Sequence, residues 1–238
     1  MNGLIAHCGA EKLTRAELAQ IPTPESTDTF KPIPHETLVT SLIETLSFRH
    51  INVVRDEYAV TGDGMRLFGF IELETTFDGC RFALGLRNAN DKSMRLALTV
   101  GYRVVVCDNM AFSGDFTPVL AKHSKHFNLV DALAVGVDRM QRNFDPMRRQ
   151  VASWKEAQLT DEHAKVLIYR AFIEEELDVP KHLARDVHSL YFNPQLEDFA
   201  PRTVWSLSNA FTSAFKSLEA VPQFKATANL GEFLGTIT

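Results

Sequence analysis

The chain has 238 residues, of which 45% are hydrophobic and 23% are charged, and its formal net charge at pH 7 is −5. This composition is typical of a globular protein with a sizeable core. A negative chain is not expected to grip duplex DNA over many phosphates, so any contact with nucleic acid must come from a local basic patch.

The three cysteines are widely spaced and odd in number, which predicts no disulfide framework and favours a reducing cytoplasm. No run approaches the roughly 18 consecutive apolar residues of a membrane span, so we expect none. The first residues lack a cationic start followed by an apolar run, so we also expect no secretory signal.

Residues 1–34 are predicted to form an extended arm laid over the domain. Thr14 is placed to cap a short helix over residues 15–20, with Glu17 in the reciprocal position of a capping box. Four prolines between positions 22 and 34 then prevent regular structure. Residues 35–46 follow with the apolar period of a helix.

A β-meander is predicted next, because β-branched and apolar runs alternate with turn residues. The Gly-Asp-Gly sequence at 62–64 is a strong hairpin signal, and a second turn is predicted at 76–79. The predicted strands cover residues 51–59, 65–74, 80–87 and 96–106.

The rest of the chain is predicted to be a loop at 113–118 and then helices. Asp145 and Pro146 resemble a helix cap and first turn, so one helix is expected to end at residue 143 and another to run to residue 156. Further helices are predicted after Thr160, Pro180 and Pro201, whereas the tail from residue 221 has only a weak pattern.

This order predicts an α+β fold with an N-terminal arm and helix, an antiparallel β-meander core and a C-terminal helical half. After the arm at 1–34 we expect a single domain over residues 35–238. Its one candidate internal boundary lies near residues 143–146, where a helical C-terminal part would begin.

Two polar corners flank the central strand, at residues 88–93 and 107–109. Asparagine and aspartate at such places serve turns, but a rigid scaffold can also present them to a partner. If the corners were an enzyme site, the candidate catalytic residues would be Asn88, Asp91, Arg103, Asn109 and His123.

Metal and nucleophile chemistry receive little support. His123 and His126, joined by Cys107 or Asp108, have ligand types that suit zinc, but interleaved lysines favour a basic loop, so we predict no metal. Cys107 follows a valine run, and strand alternation predicts a buried, unreactive thiol. Phosphate-loop, dinucleotide-binding and nucleophile-elbow signatures do not occur in the sequence, so no cofactor is predicted.

A basic cluster is the candidate nucleic-acid site. Arg139 and Arg142 share a helix face by their spacing, and the cluster could follow a phosphate backbone. The alternative is a solvated helix face balanced by nearby acids such as Asp131 and Asp138. The candidate nucleic-acid-binding residues are Lys122, Lys125, Arg139, Arg142, Arg148 and Arg149.

Several strings resemble a phage- and plasmid-like protein family of unknown function. The most specific is Arg-x-Val-Val-Cys-x-Asn at 103–109, accompanied by Asn-x-x-Asp-x-Ser at 88–93, His123 and Val-Trp-x-Leu at 204–207. The family usually has serine and histidine where this chain has Ala89 and Asn90. The resemblance spans nearly the whole chain and implies a mobile-element protein in a bacterial cytoplasm.

Three hypotheses follow. The first is a non-enzymatic protein that binds or anneals single-stranded DNA in replication or recombination, as a homo-oligomer if it resembles known annealing proteins. The second is an interaction factor that acts on a host defence or regulatory protein. The third is an enzyme that uses the convergent polar corners; a membrane partner is not expected.

Overall fold

The structure, a computed structural model, describes residues 10–112 and 117–236. Those residues form two compact units. The first contains residues 10–108 and 117–144, and the second contains residues 109–112 and 145–236. The predicted loop residues 113–116 and the first nine residues of the predicted arm lie outside the described residues.

The first unit is built on an antiparallel sheet. Five strands pair in chain order, and a short later strand at residues 119–121 pairs with the fifth. This meander, followed by helices, confirms the predicted α+β class. The strands are β1 (Ala10–Leu13), β2 (Val53–Thr61), β3 (Arg66–Phe77), β4 (Cys80–Ala89), β5 (Leu96–Val104), β6 (Met110–Phe112, in the second unit) and β7 (Val119–Ala121).

Local turn chemistry fixes the hairpins. Gly64 and Gly79 both have a positive φ, at 73° and 77°, which glycine adopts without a steric penalty. Both predicted turns are therefore confirmed. Strand β5, which was predicted to cover residues 96–106, is shorter than predicted. It ends at Val104, and Val105 and Val106 are exposed in the turn that follows. Cys107 in that turn is half-buried, so its predicted burial was wrong.

The arm contributes to the sheet. Residues 10–13 pair with β2 as an edge strand, which the predicted extended arm did not include. The predicted cap is confirmed, since the Thr14 side chain accepts from the Glu17 amide while the Glu17 carboxylate accepts from the Thr14 amide. Beyond this short helix, residues 22–29 form no regular element.

The two faces of the sheet differ in chemistry. One face carries buried apolar side chains such as Ile71, Leu84 and Val100. The other face carries Glu72, Arg81 and Arg103 on three neighbouring strands. Alternation along each strand produces this division, since successive side chains point to opposite faces.

Helices complete both units. The helix at 129–156 is continuous and contains Pro146, so the predicted break before that proline was wrong. Its apolar side chains remain buried from Phe144 through Met147 to Val151, and this burial compensates for the one hydrogen bond that proline removes. The helices are α1 (Arg15–Leu18), α2 (His35–Ser47), α3 (Leu129–Glu156), α4 (Asp161–Phe172), α5 (Leu183–Phe192), α6 (Val204–Ala214) and α7 (Ala220–Gly235).

One close approach shapes the first unit. A Cβ atom at Gly136 of α3 would overlap the side chain of Val119 on β7. Only glycine therefore allows α3 to lie this near to β7. The segment at 122–124 directly follows β7.

The second unit is organised around α6. Nearly every residue of this helix is buried, and Thr203 caps it by accepting from the Ser206 amide at 3.1 Å. The helix thus begins at Val204 rather than at Pro201. The weakly patterned tail is α7, which the sequence pattern did not reveal. Within the described residues, no helix is both long and apolar enough to cross a membrane.

Candidate functional site

The first polar corner clamps the arm to the sheet. The Asn88 amide nitrogen, at the end of β4, donates to the Ile33 carbonyl at 2.9 Å and to Nδ1 of His35 at 3.0 Å. Asn90 brackets the same backbone, since its oxygen accepts from the Ile33 amide and its nitrogen donates to the Ile33 carbonyl, both at 3.0 Å. These asparagines are buried, so they hold the arm rather than contact solvent.

His35 is fixed in one tautomer by these contacts. Because Nδ1 accepts from Asn88, the proton lies on Nε2, which donates to the Gly64 carbonyl at 3.0 Å. Burial lowers the pKa of His35, and the Gly64 hydrogen bond opposes this only partly. The imidazole is therefore neutral near pH 7.

The arm continues from this clamp to a second anchor at His123. The Lys31 amide donates to the His123 carbonyl at 3.1 Å, and Phe30 forms a β-bridge with Ser124. The Phe30 ring stacks on the His123 imidazole, with 5.4 Å between ring centroids and an interplanar angle of 17°. The arm therefore forms a wall beside the segment that follows β7.

A cavity of about 430 Å³ lies against this wall. Three separate segments supply its lining, namely the arm, the turn between β4 and β5, and the segment after β7. Its cations are Lys92, Arg95 and Lys122, and no carboxylate is among the described residues that line it. The full lining is Thr29, Phe30, Lys92, Ser93, Met94, Arg95, Lys122, His123 and Ser124.

His123 is the buried polar group of this cavity. It is only 4% exposed, and neither ring nitrogen has a hydrogen-bond partner in the part of the chain that the structure describes. Burial lowers the pKa of His123, and the charge interaction with His35 lowers it further. An imidazole shielded from water with two unpaired nitrogens is costly, so its retention calls for an explanation.

The five candidate catalytic residues do not form one pocket. Asn88 and Asp91 lie at the turn between β4 and β5, near His123. Arg103 lies at the opposite end of this hairpin, where it is directly opposite Arg81 of β4 in the strand register. Arg81 is roughly 24 Å along β4 from Asn88. Asn88 and Asp91 at the turn of the hairpin are therefore too far from Arg103 at its open end to share one pocket with it.

Each of the remaining candidates has a structural partner. Asp91 accepts from Arg66 at 2.7 Å. Arg103 pairs with Glu72 at 2.6 Å and also with Asp108. Asn109 belongs to the second unit, where its amide donates to the Asn209 carbonyl and side-chain oxygens at 3.1 and 3.0 Å. These residues serve the fold in this structure.

The basic cluster is divided between the two units. Lys122 lines the cavity, and Lys125 is exposed three residues further on. Arg139 and Arg142 are exposed on the part of α3 in the first unit. Arg148 and Arg149 belong to the second unit, and Arg148 pairs with Asp145 at 3.0 Å.

The cations of the turn and the aromatic of the arm were missed by sequence reasoning. Phe30 on the arm, and Lys92 and Arg95 at the turn, are far from Lys122 in the sequence, and only the pairing of strands brings them to it. The available signal was the density of lysine and arginine next to a turn of asparagines. No group of three or more histidine, cysteine or acidic side chains able to hold a metal ion occurs among the described residues.

The fold and this cavity define an α+β protein with a cationic, partly enclosed site at one end of a meander sheet. Residues 26–225 match the family described as a domain of unknown function, DUF932, and the chain belongs to that family. Neither a curated protein nor a solved structure matches the chain.

Proposed function

We propose that this protein binds single-stranded nucleic acid, as part of replication, recombination or strand annealing on a mobile element in the bacterial cytoplasm. The observation that supports this proposal best is the cavity, whose described lining residues include Lys92, Arg95 and Lys122 but no carboxylate. In a chain with a net charge of −5, such local concentration of positive charge favours an anionic ligand.

Neighbouring features extend this interpretation. Lys125, Arg139 and Arg142 do not line the cavity, but they are exposed residues of the same unit and add positive charge to the surface of that unit. Lys92 lies 5.0 Å from the centroid of the Phe30 ring, so aromatic and cationic groups are interleaved. Proteins that bind single strands combine these two kinds of group.

The test is fluorescence anisotropy with a labelled oligothymidine in a salt series. We expect salt-dependent binding of the wild-type protein. Combining Lys92→Ala, Arg95→Ala and Lys122→Ala should weaken binding at least about tenfold, and should flatten the log–log salt slope by about 2, since each lost phosphate contact on a single strand removes about 0.7.

A matched control removes the same charge elsewhere. Lys181, Arg185 and Lys225 are exposed residues of the second unit, and changing all three to alanine should leave affinity and slope near those of the wild type. An absence of salt-dependent binding at micromolar protein, or equal losses in both triple variants, would remove the proposal.

A second candidate is a protein-binding role, either toward a host factor or in a homo-oligomer. The observation that favours it is an apolar stripe along α4 and its C-cap residue, where Val166, Tyr169 and Ile173 are 53%, 54% and 49% exposed at helical spacing. A partner held there would remain bound after charge reversal of Arg139 and Arg142, whereas binding of a single strand would weaken.

A further inference from the structure

The unpaired imidazole of His123 shows what the cavity requires of a ligand. A neutral imidazole has one N–H donor and one lone-pair acceptor, and here neither is satisfied within the described residues. Such a group is stabilised by a ligand that can accept from the ring or donate to it. The oxygens of a phosphate group accept strong hydrogen bonds, so a phosphate can accept from the N–H of the imidazole.

The charges around the imidazole fit a phosphate as well. Lys92, Arg95 and Lys122 are exposed side chains that line the cavity, so they are available to an anion from solvent. The nearest acid in the turn, Asp91, is held by Arg66 at 2.7 Å and also accepts from the Ser93 amide. The negative charge of Asp91 is thus paired with Arg66 of β3, and the cavity retains a positive potential.

The dimensions of the cavity favour a small ligand or the end of a strand. A volume of about 430 Å³ lies in the lower part of the range for small-molecule sites. The hydroxyl groups of Ser93 and Ser124 also line it, and they can donate to phosphate or sugar oxygens. A group that fills such a cavity is about the size of one nucleotide.

Phe30 is the ring in direct contact with His123. It stacks on one face of the imidazole, is itself only partly buried, and lines the cavity together with His123. The backbones of the two segments are joined at the same place, because the Lys31 amide donates to the His123 carbonyl.

We propose that this cavity binds a single phosphate-monoester group, carried by a free nucleotide or by the 5′ end of a DNA strand. Lys92, Arg95 and Lys122 meet its charge, and His123 hydrogen-bonds to it through a ring nitrogen once the side chains that cover that nitrogen have moved aside. The assignment to DNA ends rests on the proposed function, whereas the phosphate site itself depends only on the cavity. His123 is a binding residue here, and no bond is made or broken.

The first experiment follows the imidazole directly. Proton NMR of the histidine side chains is recorded during titration with inorganic phosphate, thymidine 5′-monophosphate and thymidine, and the His123 signals are assigned by their loss in His123→Gln. Phosphate and the monophosphate should shift those signals in a saturable way, and thymidine should not. No shift with either phosphate compound at millimolar concentration would overturn the site.

The second experiment separates the two sources of the phosphate. Oligothymidines with a 5′-phosphate or a 5′-hydroxyl compete for the wild-type protein. We expect about a tenfold preference for the phosphorylated end, because hydrogen bonds to a charged group contribute a free energy that corresponds to about this ratio of affinities. The preference should disappear in both His123→Gln and Lys122→Gln. The Lys122 variant changes an exposed residue, so it keeps the test valid if the His123 variant folds poorly.

The outcomes distinguish this inference from the proposed function. Salt-dependent binding of strands without an end preference would leave the single-strand proposal standing and would overturn the end-binding assignment. Saturable shifts of His123 with the monophosphate, but no binding of any strand, would support a nucleotide site and remove the single-strand proposal.

Discussion

Replacing Glu72 by alanine is expected to lower the free energy of unfolding by about 3–5 kcal/mol, as measured by chemical denaturation. The Glu72 side chain on β3 is 1% exposed, and one of its oxygens accepts from Arg81 at 3.2 Å and from Arg103 at 2.6 Å. Removing it leaves two partly buried guanidinium groups with less compensating charge. Arg81 and Arg103 are also direct cross-strand partners, so their like charges would then repel.

Two controls identify the cause of that loss. Glu74→Ala removes an exposed carboxylate of the same strand, which accepts from Asn52 at 2.7 Å, and should cost less than about 1 kcal/mol. Glu72→Gln keeps the volume and one acceptor but removes the charge, and should fall between the two. If Glu72→Ala were no worse than Glu74→Ala, the network would be an ordinary surface ion pair.

Sequence reasoning succeeded where neighbouring residues determine structure. The turn at Gly64 and the capping box of Thr14 and Glu17 depend on residues that are adjacent in the chain, so their chemistry is visible in the sequence. Pro146 shows the limit of this reasoning. Its local signal favours a helix start, but the apolar face that continues beyond it remains buried within one long helix.

The candidate site was harder to predict because it is assembled from distant segments. Phe30, Lys92 and Lys122 are far apart in the chain, and each has an ordinary local context. Their convergence follows from the pairing of β7 with β5 and from the bridge between Phe30 and Ser124. Lys122 was identified from charge density alone, and His123 from a resemblance and its spacing, without any indication of its burial.

The asparagines of the first corner were identified in the sequence, but their role was not. Their position at a strand end suggested presentation to a partner, but Asn88 is fully buried and bonded to the arm. A polar side chain at a turn can thus serve an internal segment that returns to it from elsewhere in the chain. In this fold that segment carries one wall of the cavity, so Asn88 supports the site without lining it.

Asn88→Leu is therefore expected to lower the free energy of unfolding by about 2–3 kcal/mol. Leucine has the branched shape of asparagine and as many side-chain heavy atoms but no donor, so Nδ1 of His35 loses its 3.0 Å partner in a buried place. The Ile33 carbonyl keeps its bond from Asn90, so most of the cost arises at the imidazole. Asn52→Leu, at an exposed position, should stay within about 0.5 kcal/mol of the wild type in the same denaturation measurement.

A double-mutant cycle with His35→Phe tests whether the imidazole carries that cost. Phenylalanine removes the lone pair that Asn88 satisfies, so adding it to Asn88→Leu should cost at least about 1 kcal/mol less than adding it to the wild type. Additive losses would place the cost elsewhere, in packing around β4. Coupling of the expected size would show that Asn88 and His35 act as one clamp, on which the position of the arm, and with it the Phe30 wall of the phosphate site, depends.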